Sequence, residues 1–240
     1  MNIILVVFDS LRKDCLGSHV SPPWGAVHTP NLDRFAEESL VMTEAYPETL
    51  PTLPARRAIY TGRRVYPFHD SDFHLRGDFV GAPGWGPIPE DQPTVAELLS
   101  QSRYRTGLVS DVYHMFKPSK NFWRGFHQWT FLRGQEIDVA RSGPRLTQEE
   151  VDYWLPTELQ IPQRVAFIKR CITNMRDRSL EEDYFSPQVF REAALWLQQN
   201  RDAERFFLTV ESFDPHEPWL VPEYYRRMYL DDDGREQVLS

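Results

Sequence analysis

The fold is decided by Asn2-Ile3-Ile4-Leu5-Val6-Val7-Phe8, a nearly continuous apolar run that is followed at once by Asp9-Ser10-Leu11-Arg12. A short apolar run that ends in polar residues predicts a strand covered on both faces, as strands of parallel sheets are. Open α/β sheets bind their ligands at the carboxyl ends of the strands. We therefore expect Asp9, which stands at that end, to be a metal ligand.

A second stretch places a hydroxyl group where a helix begins. It reads Thr52-Leu53-Pro54-Ala55-Arg56 and is soon followed by Thr61-Gly62-Arg63. Residues 55–60 predict a short helix, with Pro54 suited to its first turn, Gly62 to its end, and Thr52 at or just before its N-cap. Because a helix start has unpaired N–H groups and a positive partial charge, it stabilises a bound phosphate or sulfate. This stretch therefore indicates a site for an anionic ester.

Polar residues also follow a second predicted strand, at residues 205–213. They read Asp214-Pro215-His216-Glu217-Pro218-Trp219. Because strand ends carry the ligand sites of open α/β sheets, we expect this segment, Asp9 and the helix start at Thr52 to converge on one pocket.

The rest of the chain alternates strands and helices. The patterns predict strands at 40–45 and 105–110 and helices at 31–38, 94–101, 148–155, 164–176 and 187–200, with a capping box formed by Thr94 and Glu97. This alternation predicts an α/β fold, a mostly parallel central sheet with helices on both faces. Residues 66–91 predict a long loop over the pocket, in which His69, Asp70, Asp72 and His74 lack the fixed spacing of a metal site.

The composition excludes several classes of protein. The hydrophobic fraction is 41% and the charged fraction 26%, as in ordinary globular domains. The net charge of −8 argues against a nucleic-acid partner. With two cysteines, Cys15 and Cys171, a disulfide framework is excluded. No apolar segment reaches the roughly 18 residues of a membrane span, and no secretion signal precedes the first strand, so we expect no membrane contact and a cytoplasmic location.

The quoted motifs, together with Thr29-Pro30-Asn31-Leu32-Asp33-Arg34-Phe35-Ala36, resemble the sulfatase branch of the alkaline phosphatase superfamily. Their order and separation match as well. The resemblance implies an alkaline phosphatase-like sandwich that hydrolyses a small anionic substrate, a sulfate or phosphate ester. It also implies one divalent metal ion, Ca or Mn, held by Asp9 and the oxygen of Thr52.

The resemblance also implies the roles of individual residues. The nucleophile position of the family holds Cys or Ser, which becomes formylglycine in true sulfatases, and here it holds Thr52. Because threonine cannot form the aldehyde hydrate, Thr52 would attack directly, which favours phosphoryl substrates. Arg56 would hold the Thr52 loop or the transferred group, and His216 would contact its oxygens or assist the leaving group.

One further match is incomplete. The family often places a Lys-x-His pair after the strand at 105–110 to bind charged oxygens of the substrate. His114 fits the histidine, whereas Val112 stands in place of the lysine. Lys117 or Lys120 could supply the missing positive charge from the following loop.

The resemblance covers the N-terminal part of the family pattern. Two further metal ligands and a smaller C-terminal subdomain are expected downstream in the family. We therefore interpret residues 1–240 as the N-terminal part of one catalytic domain whose C-terminal part is missing. The alternatives are a non-catalytic module that at most binds an anion and a phosphomutase of the same superfamily. The sequence leaves the formation of a homo-oligomer open.

Overall fold

The computed structural model describes residues 1–17, 27–65, 80, 82–117 and 119–230. The strands of these ranges are β1 (Ile3–Phe8), β2 (Arg105–Ser110), β3 (Gln128–Phe131) and β4 (Phe206–Ser212). The helices are α1 (Pro30–Glu37), α2 (Thr52–Thr61), α3 (Val95–Gln101), α4 (Tyr113–Phe116), α5 (Gln148–Trp154), α6 (Pro162–Met175), α7 (Phe185–Gln199) and α8 (Glu223–Arg227). Short 3-10 turns occupy Lys13–Cys15, Thr157–Leu159 and Glu181–Asp183.

The four strands form one parallel sheet in the order β1-β4-β2-β3. Phe8 of β1 lies opposite Ser212 of β4, and Ser110 of β2 lies opposite Glu211. The carboxyl ends of these three strands therefore meet at one edge of the sheet. The predicted parallel sheet is confirmed.

Helices cover both faces of the sheet, as predicted. Leu108 and Phe207 lie in one apolar cluster together with Leu53 and Tyr60 of α2. The next residues along their strands, Val109 and Leu208, join a second cluster with Val189, Ala193 and Trp196 of α7. Because successive side chains of a strand point to opposite faces, the two clusters lie on opposite sides of the sheet.

Local signals explain where two helices begin and end. Thr94 accepts a hydrogen bond from the N–H of Glu97 at 3.2 Å, and Glu97 accepts one from the N–H of Thr94 at 2.8 Å, which confirms the capping box of α3. Gly62 ends α2 in the left-handed conformation, with φ of +66°.

Within the described ranges, no helix combines the length and the apolar character that crossing a bilayer requires.

The strand predicted at 40–45 is wrong. Leu40 and Met42 are 83% and 67% exposed, and the run has no partner in the sheet that the described residues form. An apolar run cannot be a strand without a neighbour to pair with. Conversely, β3 and α4 were not predicted. His69, Asp70, Asp72 and His74 lie outside the described residues.

Candidate active site

Asp9 lies at the end of β1, where the sequence predicts it. Its N–H donates to the carbonyl of Ser212 at 2.9 Å, which continues the pairing of β1 with β4. The hydroxyl of Ser10 donates to Oδ1 of Asp9 at 3.0 Å, and Oδ2 lies 2.9 Å from Nη1 of Arg56. Asp9 is therefore a buried carboxylate next to one cation.

Arg56 joins the predicted metal ligand to the predicted nucleophile. Its Nη1 lies 2.9 Å from Asp9 and 3.4 Å from the carbonyl oxygen of Thr52, to which it donates. Its Nε donates to Oε2 of Glu211 at 2.9 Å. Burial by itself lowers the pKa of Arg56, but attraction to Glu211 and Asp9 outweighs it, so the pKa lies above its ordinary value. The guanidinium therefore stays charged and ties α2 to the strand ends.

Glu211 is a site residue that the sequence analysis missed. It is fully buried in β4, and its Oε1 accepts a hydrogen bond from the hydroxyl of Tyr60 at 3.0 Å. Burial raises the pKa of Glu211, and Arg56 and Tyr60 oppose that rise. An acidic residue inside an apolar strand was the available signal, because such a group needs a buried partner.

Thr52 is the first residue of α2 and is 8% exposed. The residue at the N-cap is Pro51, whose carbonyl accepts the N–H of Ala55 at 3.1 Å. The position of Thr52 inside the first turn differs from the predicted one by a single residue. Thr52 therefore does not serve as the capping residue of α2, which was the structural alternative to a catalytic role.

The two predicted histidines form a second group, around Phe213. The ring of His216 stacks on Phe213 with centroids 4.3 Å apart, and its Nδ1 lies 2.9 Å from the carbonyl of Glu217. The ring of His114 lies 6.4 Å from Phe213, and its Nε2 is 2.5 Å from Oε2 of Glu136. Phe213 directly follows Ser212, so this group lies beside Asp9 at the same edge of the sheet.

A buried polar network supports the second group. Asp111 accepts a hydrogen bond from the N–H of Phe213 at 2.7 Å and another from the amide of Gln135 at 3.0 Å. The same amide donates to Asp214 at 3.0 Å, and Asp214 also accepts the N–H of Ser186 at 3.3 Å. Burial, and then repulsion by Asp214, raises the pKa of Asp111 to about 8. The network fixes the start of the turn that carries His216.

The two lysines considered as substitutes for Val112 contact the neighbours of His114. Lys120 is fully buried, and its Nζ donates to the carbonyl of Trp85 at 2.9 Å. Nζ of Lys117 lies 5.4 Å from the centroid of the Tyr113 ring. The rings of Trp85 and Tyr113 lie 5.0 Å and 5.6 Å from the ring of His114, so both ammonium groups stand close to that histidine, and the supply of the missing charge stays a prediction.

The donor set for a metal ion is incomplete in the described ranges. They contain no group of three His, Cys, Asp or Glu side chains that could hold a metal ion. Asp9 is buried, and its side-chain contacts are the hydroxyl of Ser10 on Oδ1 and the guanidinium of Arg56 on Oδ2. Each carboxylate oxygen has two lone pairs, so Asp9 keeps accepting capacity that fits a hard cation, which binds oxygen ligands.

Comparisons with known proteins place this geometry in a family. The profile of the family described as Sulfatase matches residues 1–238. The chain is 26% identical to the multifunctional alkaline phosphatase superfamily protein PehA of Trinickia caryophylli, over 97% of this chain and 45% of that protein. It is 27% identical to an arylsulfatase of Clostridium perfringens, over 100% of this chain and 48% of that protein.

A solved structure shows the same fold. The phosphonate monoester hydrolase of Agrobacterium radiobacter superposes with a TM-score of 0.61 and 20% identity, over 97% of this chain and 44% of that one. The chain thus spans less than half the length of each of these three relatives. The profile match across almost every residue agrees with the parallel sheet and with the residues gathered at its edge. The chain belongs to the sulfatase family.

Proposed function

We propose that this chain carries the nucleophile of an enzyme that hydrolyses sulfate or phosphate esters, and that Thr52 is that nucleophile. The observation that carries the proposal is the position of Arg56, whose Nη1 contacts both Asp9 and the carbonyl of Thr52. The names of the relatives support it, since they include an arylsulfatase and a phosphonate monoester hydrolase.

Asp9 and the hydroxyl of Thr52 would hold one divalent ion, Ca²⁺ or Mn²⁺. The carboxylate of Asp9 supports this assignment because its oxygens have lone pairs beyond those that accept from Ser10 and face Arg56. Such ions take about six oxygen ligands, so further ligands must come from water, the substrate or other residues. When bound, the ion would lower the pKa of the Thr52 hydroxyl and polarise the ester.

The residues of the chain then act in sequence. The hydroxyl of Thr52 gives its proton to water, and Oγ1 forms a bond to phosphorus or sulfur while the bond to the alcohol oxygen breaks and His216 supplies a proton to that oxygen. Water then cleaves the threonine ester. Arg56, held by Glu211, keeps the first turn of α2 in place, and the N–H groups of that turn stabilise the negative oxygens of the transition state.

The identity of the nucleophile favours phosphoryl substrates. A formylglycine hydrate can expel sulfate by collapsing to the aldehyde, whereas a threonine ester must be cleared by attack of water. We therefore propose that phosphodiesters or phosphonate esters react faster than sulfates.

The second candidate is a non-catalytic module that binds an anion. The observation in its favour is that the described residues bring no third His, Cys, Asp or Glu ligand to Asp9. Turnover of any ester by the purified protein would exclude it.

The test compares aryl sulfate, phosphate monoester, phosphodiester and phosphonate substrates in the presence of Mn²⁺ or Ca²⁺. Thr52→Val, which keeps the shape but removes the hydroxyl, should lower kcat by roughly 10³-fold or more, while Thr52→Ser retains activity. Thr61→Val, in the last turn of the same helix, is the matched control and should keep the rate. An unchanged rate for Thr52→Val would refute the nucleophile, and a wide preference for sulfate would refute the phosphoryl assignment.

A further inference from the structure

A cavity of about 450 Å³ lies between α5, α6 and the segment that follows β4. Its volume is in the range of sites that bind small molecules. Its walls are aromatic and apolar, formed by Tyr153, Trp154, Ile172, Tyr184 and Leu220. We call it the Arg178 cavity, after the cation in its lining. Walls of this kind suit the flat face of a ring.

Arg178 is a partly buried cation in the lining of the Arg178 cavity. Its guanidinium lies 3.5 Å from the centroid of the Phe185 ring, which holds it in one place. Its Nη1 is buried and has no hydrogen-bond partner among the described residues. Burial lowers the pKa of Arg178 to about 10, which reflects the cost of desolvating this cation, and attraction to Asp214 offsets only part of that cost. An anion from a ligand would offset more of it.

The other charged residues of the lining are paired with each other or exposed to solvent. Arg176 lies 3.2 Å from Glu150, and that carboxylate also caps α5 through the N–H of Thr147 at 2.7 Å. Glu149 stands in the first turn of α5 and is exposed to solvent. Glu149 is hydrated, whereas Arg178 is partly buried, so Arg178 is the charge that a ligand inside the Arg178 cavity would feel most.

The Arg178 cavity adjoins the candidate active site. Met175 and Leu220 line it, and they also line a narrower cleft whose wall contains Asp214 and His216. A substrate whose ester group reached His216 would thus extend its alcohol part toward Trp154 and Arg178.

We propose that the Arg178 cavity binds the alcohol part of the ester substrate, and that this part is a ring carrying a second anionic group. This inference rests on the proposed function, because it assigns a substrate class to that site. Arg178 would bind the anionic group of this ligand, and the aromatic walls of the cavity would pack against its ring.

Binding of the alcohol alone tests the proposal without turnover. The probes are 4-hydroxybenzoate and its neutral isostere 4-hydroxybenzamide, measured by calorimetry and by the NMR resonance of the Trp154 indole N–H. In the unmodified chain we expect 4-hydroxybenzoate to bind at least about tenfold more tightly and to shift the Trp154 resonance. Thr52→Val should bind both probes as the unmodified chain does, so a failed nucleophile assignment leaves this result unchanged.

Two variants identify the cation. Arg178→Met should abolish the preference for 4-hydroxybenzoate, and Arg178→Lys, which keeps the charge, should retain most of it. Arg176→Met combined with Glu150→Gln is the matched control, since it removes the neighbouring pair without changing the net charge of the lining, and it should keep the preference. Equal binding of the two probes, no saturable binding, an unmoved Trp154 resonance, or equal effects of this double variant and Arg178→Met would each overturn the proposal.

Discussion

At the scale of single residues, the site depends on one arginine that faces two buried carboxylates. Arg56 pairs with both Asp9 and Glu211, which the sheet edge brings to the same side of α2. Two adjacent carboxylates would repel each other in a buried setting without this cation.

Removing the charge of Arg56 should therefore destabilise the protein. Arg56→Met leaves Asp9 and Glu211 buried together without a cation, and we expect the free energy of unfolding to fall by about 3 kcal/mol, as for other broken buried ion pairs. Urea unfolding followed by circular dichroism measures this loss. Arg63→Met is the control, because Arg63 is exposed and should change stability by less than about 0.5 kcal/mol. Equal effects of the two variants would contradict the role given to Arg56.

The raised pKa of Asp111 predicts a pH dependence of stability. Its ordinary value is 3.8 and burial raises it to about 8, so between these values the folded chain binds a proton that the unfolded chain has lost. The free energy of unfolding should therefore fall as pH rises through this window, by up to about 1.4 kcal/mol for each pH unit. Below about pH 4 the folded and the unfolded chain both bind this proton, so Asp111 no longer makes the free energy of unfolding depend on pH.

Asp111→Asn should remove that slope while keeping an acceptor for the N–H of Phe213. The measurement is the free energy of unfolding in urea between about pH 5 and pH 8. Asp202→Asn is the control: Arg105 lowers the pKa of this exposed carboxyl, so its stabilising contribution is constant in the window. A slope that is the same in Asp111→Asn and in the unmodified chain would show that Asp111 does not carry it.

Sequence patterns indicated candidate site residues but not the contacts between them. Asp9 and Thr52 were singled out because each stands at the end of a regular element, and their chemical roles stay predictions. Gln135 and Glu136 were missed because they lie in an irregular segment after β3, and nothing local indicates that they reach Asp111 and His114. Such pairings depend on which strands become neighbours, and one chain alone does not reveal that order.

At the scale of elements, the end of α2 depends on Gly62. Its φ of +66° lies in the left-handed region, and a Cβ atom there would meet nothing within 4 Å. Gly62→Ala should therefore lower stability through backbone strain alone, by about 1 kcal/mol. Gly62→Asn is the matched variant and should cost less, because asparagine tolerates this conformation. Thermal unfolding measures both, and an equal loss for the two variants would contradict strain as the cause.

The predicted elements also show where local patterns fail. The segment at 105–110 became β2 because β4 and β3 pair with it on either side. The segment at 40–45 is more apolar but has no neighbouring strand among the described residues. β3 was missed because it has four residues and two of them, Gln128 and Trp129, are exposed. Whether each segment forms a strand therefore depends on a neighbouring strand to pair with, and tertiary structure sets that neighbour.

At the scale of the whole molecule, β1 is an edge strand of the described sheet. Ile4 and Val6 are 50% and 43% exposed on the face that carries α7, although both belong to the apolar run that predicted a strand covered on both faces. One side of the β1 backbone therefore has no strand partner among the described residues. Open edges with apolar neighbours promote association with other chains.

The chain of residues 1–240 should accordingly self-associate at micromolar concentrations, which sedimentation velocity measures. Val6→Lys should weaken this association, because a lysine beside an open edge hinders pairing with a second chain. Leu195→Lys is the matched control, since Leu195 is also 43% exposed but lies on α7, which offers no unpaired backbone. If the chain sediments as a monomer throughout, or if the two variants weaken association equally, the edge of β1 is not the cause.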